Sequence, residues 1–455
     1  MRSRLDAVVV GAGIAGLSAA HRLHALGFRD VLVLEASGRV GGKVSTVEVA
    51  GRSVDAGPDS FITRNPAART LCEELGLAGD LVAPATLGAQ LWVRGRLRPI
   101  PRDMAVGVPR GAIGLALSGT VSPAGLARAA LERLLPLNPP VGDLSVGELV
   151  RARFGNEAFE AVVDPLISGI FAGDADRLSA EAVVPHLVGA LRAGRPLSAL
   201  EGQRAAGPGF LTLRGGLGGL TTAIAGQLPA TAVQTGTAVL GIDRLKGGYR
   251  LYVMSGEQID ANSVVLATPP AATASLLAQL AYAPARLVAS IDTASVATVV
   301  MKLRSTSRLP ASTGFLVPRS QGRMLVGCTF LTRKWPHLAN GDGDLVRCAV
   351  GRDGDSRWKA LDDDQLADAV TAELSQAIRG PVEPEAVAIR RFPDGIPQYR
   401  VGHLGLVDRI KAELRVLPGV AVAGSAYGGV GLPACITSGR EAAEQIANAL
   451  RRVPA

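Results

Sequence analysis

Residues 7–16 read Ala-Val-Val-Val-Gly-Ala-Gly-Ile-Ala-Gly, and this stretch decides the fold. The apolar run before the glycines lacks polar alternation, which is typical of a buried parallel strand. A helix-compatible stretch, Leu17–Leu26, follows the glycines, Gly27 ends it, and Val31–Leu34 forms a second strand. The sequence therefore predicts a βαβ unit at the start of an α/β fold.

The turn inside this unit, Gly11-Ala12-Gly13-Ile14-Ala15-Gly16, has the glycine spacing of a dinucleotide-binding turn. Gly11 permits a tight turn, Gly13 lets the backbone approach a diphosphate, and Gly16 lets the helix pack closely on the strand. The helix N-terminus offers N–H donors and partial positive charge to phosphates. Glu35 ends the second strand, where its carboxylate can accept hydrogen bonds from ribose hydroxyls.

Two further patterns favour FAD over NAD. Arg39-Val40-Gly41-Gly42-Lys43 follows Glu35 closely, a pattern familiar from FAD proteins of the amine-oxidase type. Arg39 or Lys43 can neutralise a diphosphate there, and the paired glycines permit close backbone approach. Near the other end of the chain, the glycine cluster in residues 423–433 leads from a strand into a helix. That helix N-terminus would stabilise negative charge at the N1–C2=O edge of a flavin.

The middle of the chain changes character twice. Helical patterns dominate residues 101–204, where Ser122-Pro123 predicts a helix start and Ser145 with Glu148 predicts a capping box. From about residue 290 to 405 the alternation is typical of antiparallel sheet, and the acidic run 362–364 starts a helix ending near Ile378. The predicted fold class is α/β plus α+β, with the helices as an insertion.

Composition restricts the classes of function. The 455 residues are 47% hydrophobic and 19% charged, with a net charge of +8 but no long basic run, so nucleic-acid binding is not expected. The cysteines at 72, 328, 348 and 435 are dispersed, which predicts no metal site, no disulfide and a reducing, cytoplasmic location. We also expect no signal peptide and no transmembrane segment. Residues 104–135 favour buried helix, with peripheral membrane contact as the alternative.

Five segments resemble the protoporphyrinogen/coproporphyrinogen oxidase family. They are Gly-Pro-Asp-Ser-Phe at 57–61, Pro-Leu-Ile-Ser-Gly-Ile-Phe-Ala-Gly-Asp at 165–174, Lys-Trp-Pro at 334–336, Pro-Gln-Tyr-Arg-Val-Gly-His at 397–403, and Gly-Val-Gly-Leu-Pro-Ala-Cys-Ile at 429–436. The segments occur in the family's order across nearly the whole chain. The chain is most similar to the soluble bacterial type that uses coproporphyrinogen III.

The resemblance implies a discontinuous Rossmann-like FAD domain of the amine-oxidase type, an antiparallel-sheet substrate domain and a helical domain. The expected division assigns 1–75, 205–285 and 410–455 to the FAD domain, 76–100 and 286–409 to the substrate domain, and 101–204 to the helical domain. The FAD contacts expected from motif and resemblance together are Gly11, Ala12, Gly13, Ile14, Ala15, Gly16, Glu35, Ala36, Arg39, Gly42, Lys43, Gly57, Pro58, Asp59, Ser60, Val239, Phe392, Val430, Gly431 and Leu432.

The resemblance also implies an activity, the oxidation of a porphyrinogen by six electrons, with oxygen as acceptor and three hydrogen peroxide formed. The carbonyl of Gly169 would accept hydrogen bonds from pyrrole N–H groups, and Ile170 and Phe171 would pack on the macrocycle. The expected cationic partners for propionates are Arg64, Arg98, Arg102 and Arg400. Asn65 stands where relatives often have lysine, so the contact expected there passes to Arg64. A ferrochelatase is the partner that could receive the product.

Alternatives stay open from the residues alone. The substrate could be protoporphyrinogen IX, with two propionates in place of four. Amine oxidases and carotenoid desaturases share the FAD motifs, although the aromatic content of 4% argues against the aromatic cage of an amine oxidase. A non-catalytic FAD-binding or haem-handling partner is the alternative from a different functional class.

Overall fold

The computed structural model describes residues 4–86, 88–101, 104–105, 107–200, 208–304, 307–339, 341 and 343–451. Its strands are β1 Leu5–Val10, β2 Val31–Leu34, β3 Thr46–Val49, β4 Arg52–Asp55, β5 Phe61–Ile62, β6 Leu81–Val82, β7 Gln90–Val93, β8 Arg96–Pro99, β9 Met104–Ala105, β10 Val108–Pro109, β11 Phe210–Leu213, β12 Val233–Gln234, β13 Val239–Leu245, β14 Gly248–Val253, β15 Gln258–Leu266, β16 Thr293–Leu303, β17 Gly314–Leu316, β18 Leu325–Phe330, β19 Asp344–Val350, β20 Pro384–Pro397 and β21 Val420–Val422.

The α-helices fall between these strands. They are α1 Ile14–Ala25, α2 Ala67–Glu74, α3 Ala112–Ser118, α4 Pro123–Ala130, α5 Val146–Phe154, α6 Asn156–Ala158, α7 Asp164–Phe171, α8 Ala180–Val183, α9 Pro185–Arg192, α10 Gly218–Gln227, α11 Pro270–Ala278, α12 Tyr282–Ala289, α13 Leu331–Lys334, α14 Asp363–Ile378, α15 His403–Glu413, α16 Ser425–Gly428 and α17 Leu432–Leu450.

The first sheet is built around β1. Its order is β12-β2-β1-β15-β14-β13, and β21 pairs with β15 on the edge opposite β1. The strands β12, β2, β1, β15 and β21 run parallel. Ala7 and Val9 pack in the core that contains α1, α10 and α17, whereas Val8 and Val10 pack in the core that contains α11, α12 and α15. Because alternate side chains point to opposite faces, an unbroken apolar strand suits a sheet covered on both faces. The predicted βαβ unit is confirmed, and its helix begins at Ile14.

The second sheet has the order β20-β16-β19-β18-β17-β7-β8 and is antiparallel except for the β17–β7 pair. One face packs against α14, with Leu366, Val370 and Leu374 fully buried in the shared core. The antiparallel sheet expected between residues 290 and 405 is confirmed. The long strand β20 was not predicted, because Pro393 and Gly395 and several charged residues interrupt its pattern.

The helices α3 to α9 form their own core together with Leu91 and Val93 of β7. Their starts follow the predicted caps. The Ser122 Oγ accepts a hydrogen bond from the Gly125 N–H at 3.1 Å, and Ser145 with Glu148 forms a complete capping box. These local hydrogen bonds satisfy N–H groups that the first turn of a helix leaves free.

The domain boundaries expected at 285/286 and 409/410 fall inside α12 and α15. Both helices pack in the core of the first sheet, through Ala285, Val288, Val407 and Ile410. Those two boundaries are therefore wrong: a helix that buries one apolar face in a single core belongs to one unit from end to end.

Among the described residues, no helix is both long and apolar enough to cross a membrane. Within the same residues, no group of three or more His, Cys, Asp or Glu side chains could hold a metal ion.

Candidate active site

A cavity of about 560 Å³ lies where four parallel strands end side by side. The strands β2, β1, β15 and β21 are neighbours, and their carboxyl ends carry Glu35, Gly11, Ala267 and Ala423 to the cavity wall. Since neighbouring strands lie about 4.8 Å apart, the four span about 14 Å. The carboxyl edge of an α/β sheet is the usual place for a ligand, and this width suits an extended dinucleotide.

The three glycines of the first turn have three different geometries. Gly11 has a φ of +103°, and a Cβ there would lie 2.9 Å from the Ala267 carbonyl oxygen. A Cβ on Gly16 would lie 1.9 Å from the Gly11 carbonyl oxygen, so this position allows α1 to pack against the turn. Gly13 starts α1, lines the cavity, and has no described atom within 4 Å of a Cβ position. Gly13 thus leaves room on the side where a diphosphate would approach.

Glu35 lines the cavity and also holds the glycine turn. Its Oε2 accepts a hydrogen bond from the Ala12 N–H at 2.8 Å, and its Oε1 accepts from the backbone and hydroxyl of Ser37 at 2.9 and 2.7 Å. Carboxylate oxygens have further lone pairs, so these bonds leave acceptor capacity for ribose hydroxyls. Ala36 continues the same wall.

Lys43 supplies a positive charge to the wall beside the glycine turn, and Arg391 adds a second one from β20. The side chain of Lys43 lines the cavity, and partial desolvation by the surrounding protein lowers the pKa of the Lys43 ammonium. Cys435 lines the cavity as well, and burial raises the pKa of its thiol to about 11, so the thiol stays neutral. A partly desolvated cation with no carboxylate partner among the described residues is suited to an anionic ligand.

Arg39 does not line the cavity. Its guanidinium donates to the carbonyl oxygen of Gly42 at 2.6 Å and to that of Val40 at 3.2 Å. Arg39 therefore holds the Gly41-Gly42 turn in shape, and the expected charge partner for a diphosphate is Lys43 alone. Of residues 39–43, those that line the cavity are Gly41, Gly42 and Lys43.

The cavity residues fit FAD. Val239 and Leu240 offer an apolar surface next to Glu35 at one side of the cavity, and Phe392 of β20 lines it too. Ile14 and Ala15 continue the wall from the first turn of α1. The wall also carries Arg391 and Asp394. A largely apolar wall with cations, carboxylates and an open glycine turn offers the contacts that a flavin adenine dinucleotide needs.

Several expected contacts lie behind the wall instead of on it. A Cβ on Gly57 would lie 2.0 Å from the Lys43 carbonyl oxygen, so the 57–60 segment packs directly behind Lys43. Asp59 is 7% exposed and is engaged by Lys334 at 2.8 Å and Arg347 at 3.3 Å. The remaining expected contacts off the wall are Ala12, Gly16, Pro58, Ser60, Val430, Gly431 and Leu432.

The sequence did not indicate two parts of the wall. One is the β20 segment 391–395 apart from Phe392, which the resemblance implied, and the other is the face of α11 that carries Ser275 and Leu276. The β20 segment arrives from the other sheet, and no local motif marks it. Pro269-Pro270 before α11 was the available signal, since proline at a helix start after a strand end places the next helix near the ligand edge.

The residues expected to contact substrate lie at the C-terminal end of α7 and on separate segments. Gly169 and Ile170 are exposed, with Ile170 60% accessible, whereas Phe171 is buried with its ring 5.7 Å from that of Tyr399. Arg64 is exposed, and Arg98 is half-buried beside Gly119 at the end of α3. Arg102 lies outside the described residues.

Arg400 is paired with two carboxylates of the protein. Its guanidinium forms ion pairs with Asp292 at 2.8 Å and Asp353 at 2.9 Å. A guanidinium between two carboxylates has little charge left to offer to a propionate. We therefore remove Arg400 from the candidate propionate partners.

The segment 397–403 joins α7 to the cavity. The Tyr399 hydroxyl donates to the carbonyl oxygen of Ser425, which lines the cavity. The His403 ring stacks on Tyr399 at 4.1 Å between centroids, and its Nε2 lies 3.1 Å from the Ala426 carbonyl oxygen. Burial lowers the pKa of His403 to about 4, so the ring is neutral near pH 7. The fold and this cavity define a flavin-dependent oxidoreductase.

Comparison with known proteins agrees with that class. The flavin containing amine oxidoreductase family matches residues 14–447. Coproporphyrinogen III oxidase of Bacillus subtilis is 33% identical, with 96% of each chain covered, and a chloroplast protoporphyrinogen oxidase of Nicotiana tabacum is 28% identical over 99% of this chain and 87% of that protein. A crystal structure from Exiguobacterium, named as a putative protoporphyrinogen oxidase, has a TM-score of 0.89 at 33% identity and covers 98% of this chain and 99% of that one.

A cyclohexylamine oxidase from Brevibacterium oxydans shares the fold, with a TM-score of 0.73 at 19% identity and coverage of 99% and 100% of the two chains. The chain belongs to the flavin containing amine oxidoreductase family, in the branch formed by the protoporphyrinogen and coproporphyrinogen oxidases. It is an FAD-dependent oxidoreductase.

Proposed function

We propose that the protein oxidises coproporphyrinogen III to coproporphyrin III with oxygen as acceptor, a reaction of haem biosynthesis that removes six electrons and forms three hydrogen peroxide. The observation that carries the proposal is that Tyr399 of the 397–403 segment contacts both Phe171 of α7 and Ser425 of the cavity wall. The full-length likeness to the Bacillus subtilis coproporphyrinogen III oxidase supports the same substrate.

The chain's own residues would bind the substrate and orient it. FAD held in the cavity would supply the hydride acceptor for oxidation at a meso carbon of the substrate, and aromatisation of the macrocycle would supply much of the driving force. We propose that the Gly169 carbonyl oxygen accepts hydrogen bonds from pyrrole N–H groups and that Ile170 and Phe171 pack beside the macrocycle. Such contacts fix orientation without a strong base.

We propose Arg64, Arg98 and Arg102 as partners of the propionates, because coproporphyrinogen carries four carboxylates and guanidinium groups bind carboxylates well. We further propose a cytoplasmic location, supported by four cysteines that are all free thiols. The product would pass to the next enzyme of haem synthesis, for which a ferrochelatase is the candidate.

The test is anaerobic reduction of the holoenzyme by coproporphyrinogen III, with protoporphyrinogen IX in a parallel experiment. We expect the flavin absorbance near 450 nm to bleach faster with coproporphyrinogen and coproporphyrin fluorescence to appear. Faster bleaching by protoporphyrinogen IX would reassign the substrate. A flavin that neither porphyrinogen reduces would overturn the enzymatic proposal in favour of a non-catalytic role.

A further inference from the structure

The last turn of α7 presents backbone carbonyl groups that the helix itself cannot pair. The helix ends at Phe171, and the next residue, Ala172, has a φ of +47° and an N–H that donates to the Ser168 carbonyl at 2.8 Å. Beyond Ser168, the carbonyls of a terminating helix lack intrahelical donors and must find other partners. Gly169 is the first residue in that position.

Three donors from three separate segments bind the carbonyls that follow. The Gln398 Nε2 donates to Phe171 at 2.9 Å, the Asp353 N–H donates to Ala172 at 2.7 Å, and an Arg319 Nη donates to Gly173 at 3.2 Å. The carbonyls of Phe171, Ala172 and Gly173 are therefore occupied. Among the described residues no donor pairs with the carbonyls of Gly169 and Ile170, the two exposed residues of the turn, which leaves them for a ligand.

Gln398 is the buried member of this set of donors. It is 1% exposed, its backbone N–H donates to the Asp292 carbonyl at 2.8 Å, and its Nε2 also donates to Ile396 at 3.2 Å. The amide lies so close to α7 that a Cβ on Gly173 would be 2.6 Å from the Gln398 Oε1. The next residue, Tyr399, reaches the cavity wall at Ser425. One rigid connection therefore links the end of α7 to the edge of the FAD cavity.

We infer that Gln398 is a positioning residue for the oxidation: its amide holds the last turn of α7 so that the Gly169 carbonyl faces the substrate N–H groups. The inference rests on the proposed function. Gln398 does not itself touch substrate or cofactor in this assignment, because it is buried behind α7. Loss of its donors would let the turn move by a fraction of an ångström, which is enough to slow a reaction that depends on orientation.

The decisive variant is Gln398→Leu, which keeps similar volume and removes both donors. We expect flavin reduction by coproporphyrinogen III in anaerobic single turnover to slow by about tenfold. Reoxidation of the chemically reduced enzyme by oxygen should keep the wild-type rate, because no pyrrole contact takes part in it. FAD content should also remain that of wild type, since Gln398 does not line the cavity.

Gln398→Glu gives a readout that a purely structural role would not produce. The introduced carboxyl is nearly isosteric, and burial raises the pKa of such a group. When protonated it can donate to the Phe171 carbonyl, and when ionised it cannot. We expect the rate of flavin reduction in this variant to recover as the pH falls through that raised pKa, with no matching rise in Gln398→Leu.

Ser375→Ala is the matched control. The Ser375 Oγ donates to the Gly380 carbonyl just past the end of α14 at 2.6 Å, so this variant also removes a side-chain bond to a carbonyl beyond a helix. Both half-reactions should stay at wild-type rates. Wild-type reduction rates in Gln398→Leu would overturn the inference, as would equal slowing of reduction and reoxidation. A wild-type enzyme that coproporphyrinogen III does not reduce overturns the proposed function and this inference with it.

Discussion

At the scale of single residues, burial shifts the pKa values of Asp55 and His403 in opposite directions, so both side chains titrate in the same range of pH. Burial raises the pKa of Asp55 to about 6 from 3.8, despite hydrogen bonds from Thr46 and Leu217, and lowers the pKa of His403 to about 4 from 6.5. Between pH 3.8 and about 6 the folded state keeps a proton on Asp55 that the unfolded chain loses, so Asp55 favours folding more as the pH falls. His403 has the opposite sign, because only the unfolded chain takes up its proton.

We predict that Asp55→Asn steepens the acid loss of stability. With the Asp55 contribution gone, the His403 contribution is uncompensated, and the free energy of unfolding should fall between pH 6.5 and 4 by about 2 kcal/mol more than in wild type. Urea unfolding at a series of pH values measures this difference. His403→Gln should change the slope the other way, and parallel curves for wild type and Asp55→Asn would contradict the assignment.

Gly13 and Gly16 are three residues apart along one turn but differ in what surrounds them. A methyl group at Gly13 meets no described atom within 4 Å, whereas at Gly16 it meets the Gly11 carbonyl oxygen at 1.9 Å. We predict that Gly13→Ala leaves the melting temperature of the FAD-free protein unchanged but raises the Kd for FAD at least tenfold, because the methyl group enters the ligand's space.

The measurements for Gly13→Ala are thermal melting of the stripped protein and FAD titration by fluorescence. Gly16→Ala is the informative partner variant, since its methyl group clashes within the protein and should lower the melting temperature even without FAD. Unchanged FAD affinity in Gly13→Ala would move the diphosphate away from this turn.

At the scale of secondary-structure elements, the first and last long helices of the FAD-binding part cross closely. A Cβ on Gly439 of α17 would lie 2.1 Å from the Ala15 carbonyl oxygen of α1. We predict that Gly439→Ala costs about 2 kcal/mol or more of unfolding free energy, because the helices must separate, and that FAD binding weakens with it since Ala15 lines the cavity.

Chemical denaturation and FAD titration test the Gly439 prediction. The control is Gly405→Ala in α15, where no described atom lies within 4 Å of the added methyl group. That variant should gain about 0.5–1 kcal/mol from the better helix propensity of alanine. Equal effects in the two variants would show that the crossing tolerates an extra methyl group.

At the scale of the whole molecule, Asp59 connects the FAD-binding part to the second sheet. Burial alone would raise the pKa of Asp59, but Arg347 and Lys334 outweigh it and hold the pKa far below its usual range. Trp335 Nε1 donates to the same carboxylate at 3.2 Å. We predict that Asp59→Asn costs about 3–5 kcal/mol, because two partly buried cations lose their partner, and that unfolding becomes less cooperative.

Denaturant unfolding followed by flavin fluorescence and by far-UV circular dichroism measures both effects in Asp59→Asn. Asp260→Asn breaks an ion pair with Arg250 at the surface of the first sheet and should change stability little. If the two transitions of Asp59→Asn coincide at the wild-type midpoint, Asp59 does not join the two parts. Acid should not break this pair until the pH falls below 3.8.

The sequence by itself determined the elements that depend on near neighbours along the chain. The βαβ unit, the Ser122 and Ser145 caps and the helix after the 362–364 run follow local rules of glycine geometry, capping and apolar period, and all are present. The glycine turn, Glu35 and Lys43 could be assigned to a dinucleotide site for the same reason. The family could also be predicted, because the resemblance depends on short segments and on their order along the chain.

Only the tertiary structure decided which distant groups meet. Arg39 and Arg400 have the positive charge that the predictions required. The donors of Arg39 are occupied by a carbonyl group of its own turn, and those of Arg400 by carboxylates that are distant in sequence. The partners of Asp59, the place of β20 at the cavity and the donors around α7 come from segments up to hundreds of residues away. Hydrogen bonds and ion pairs depend on separation in space, which a chain's local pattern does not contain.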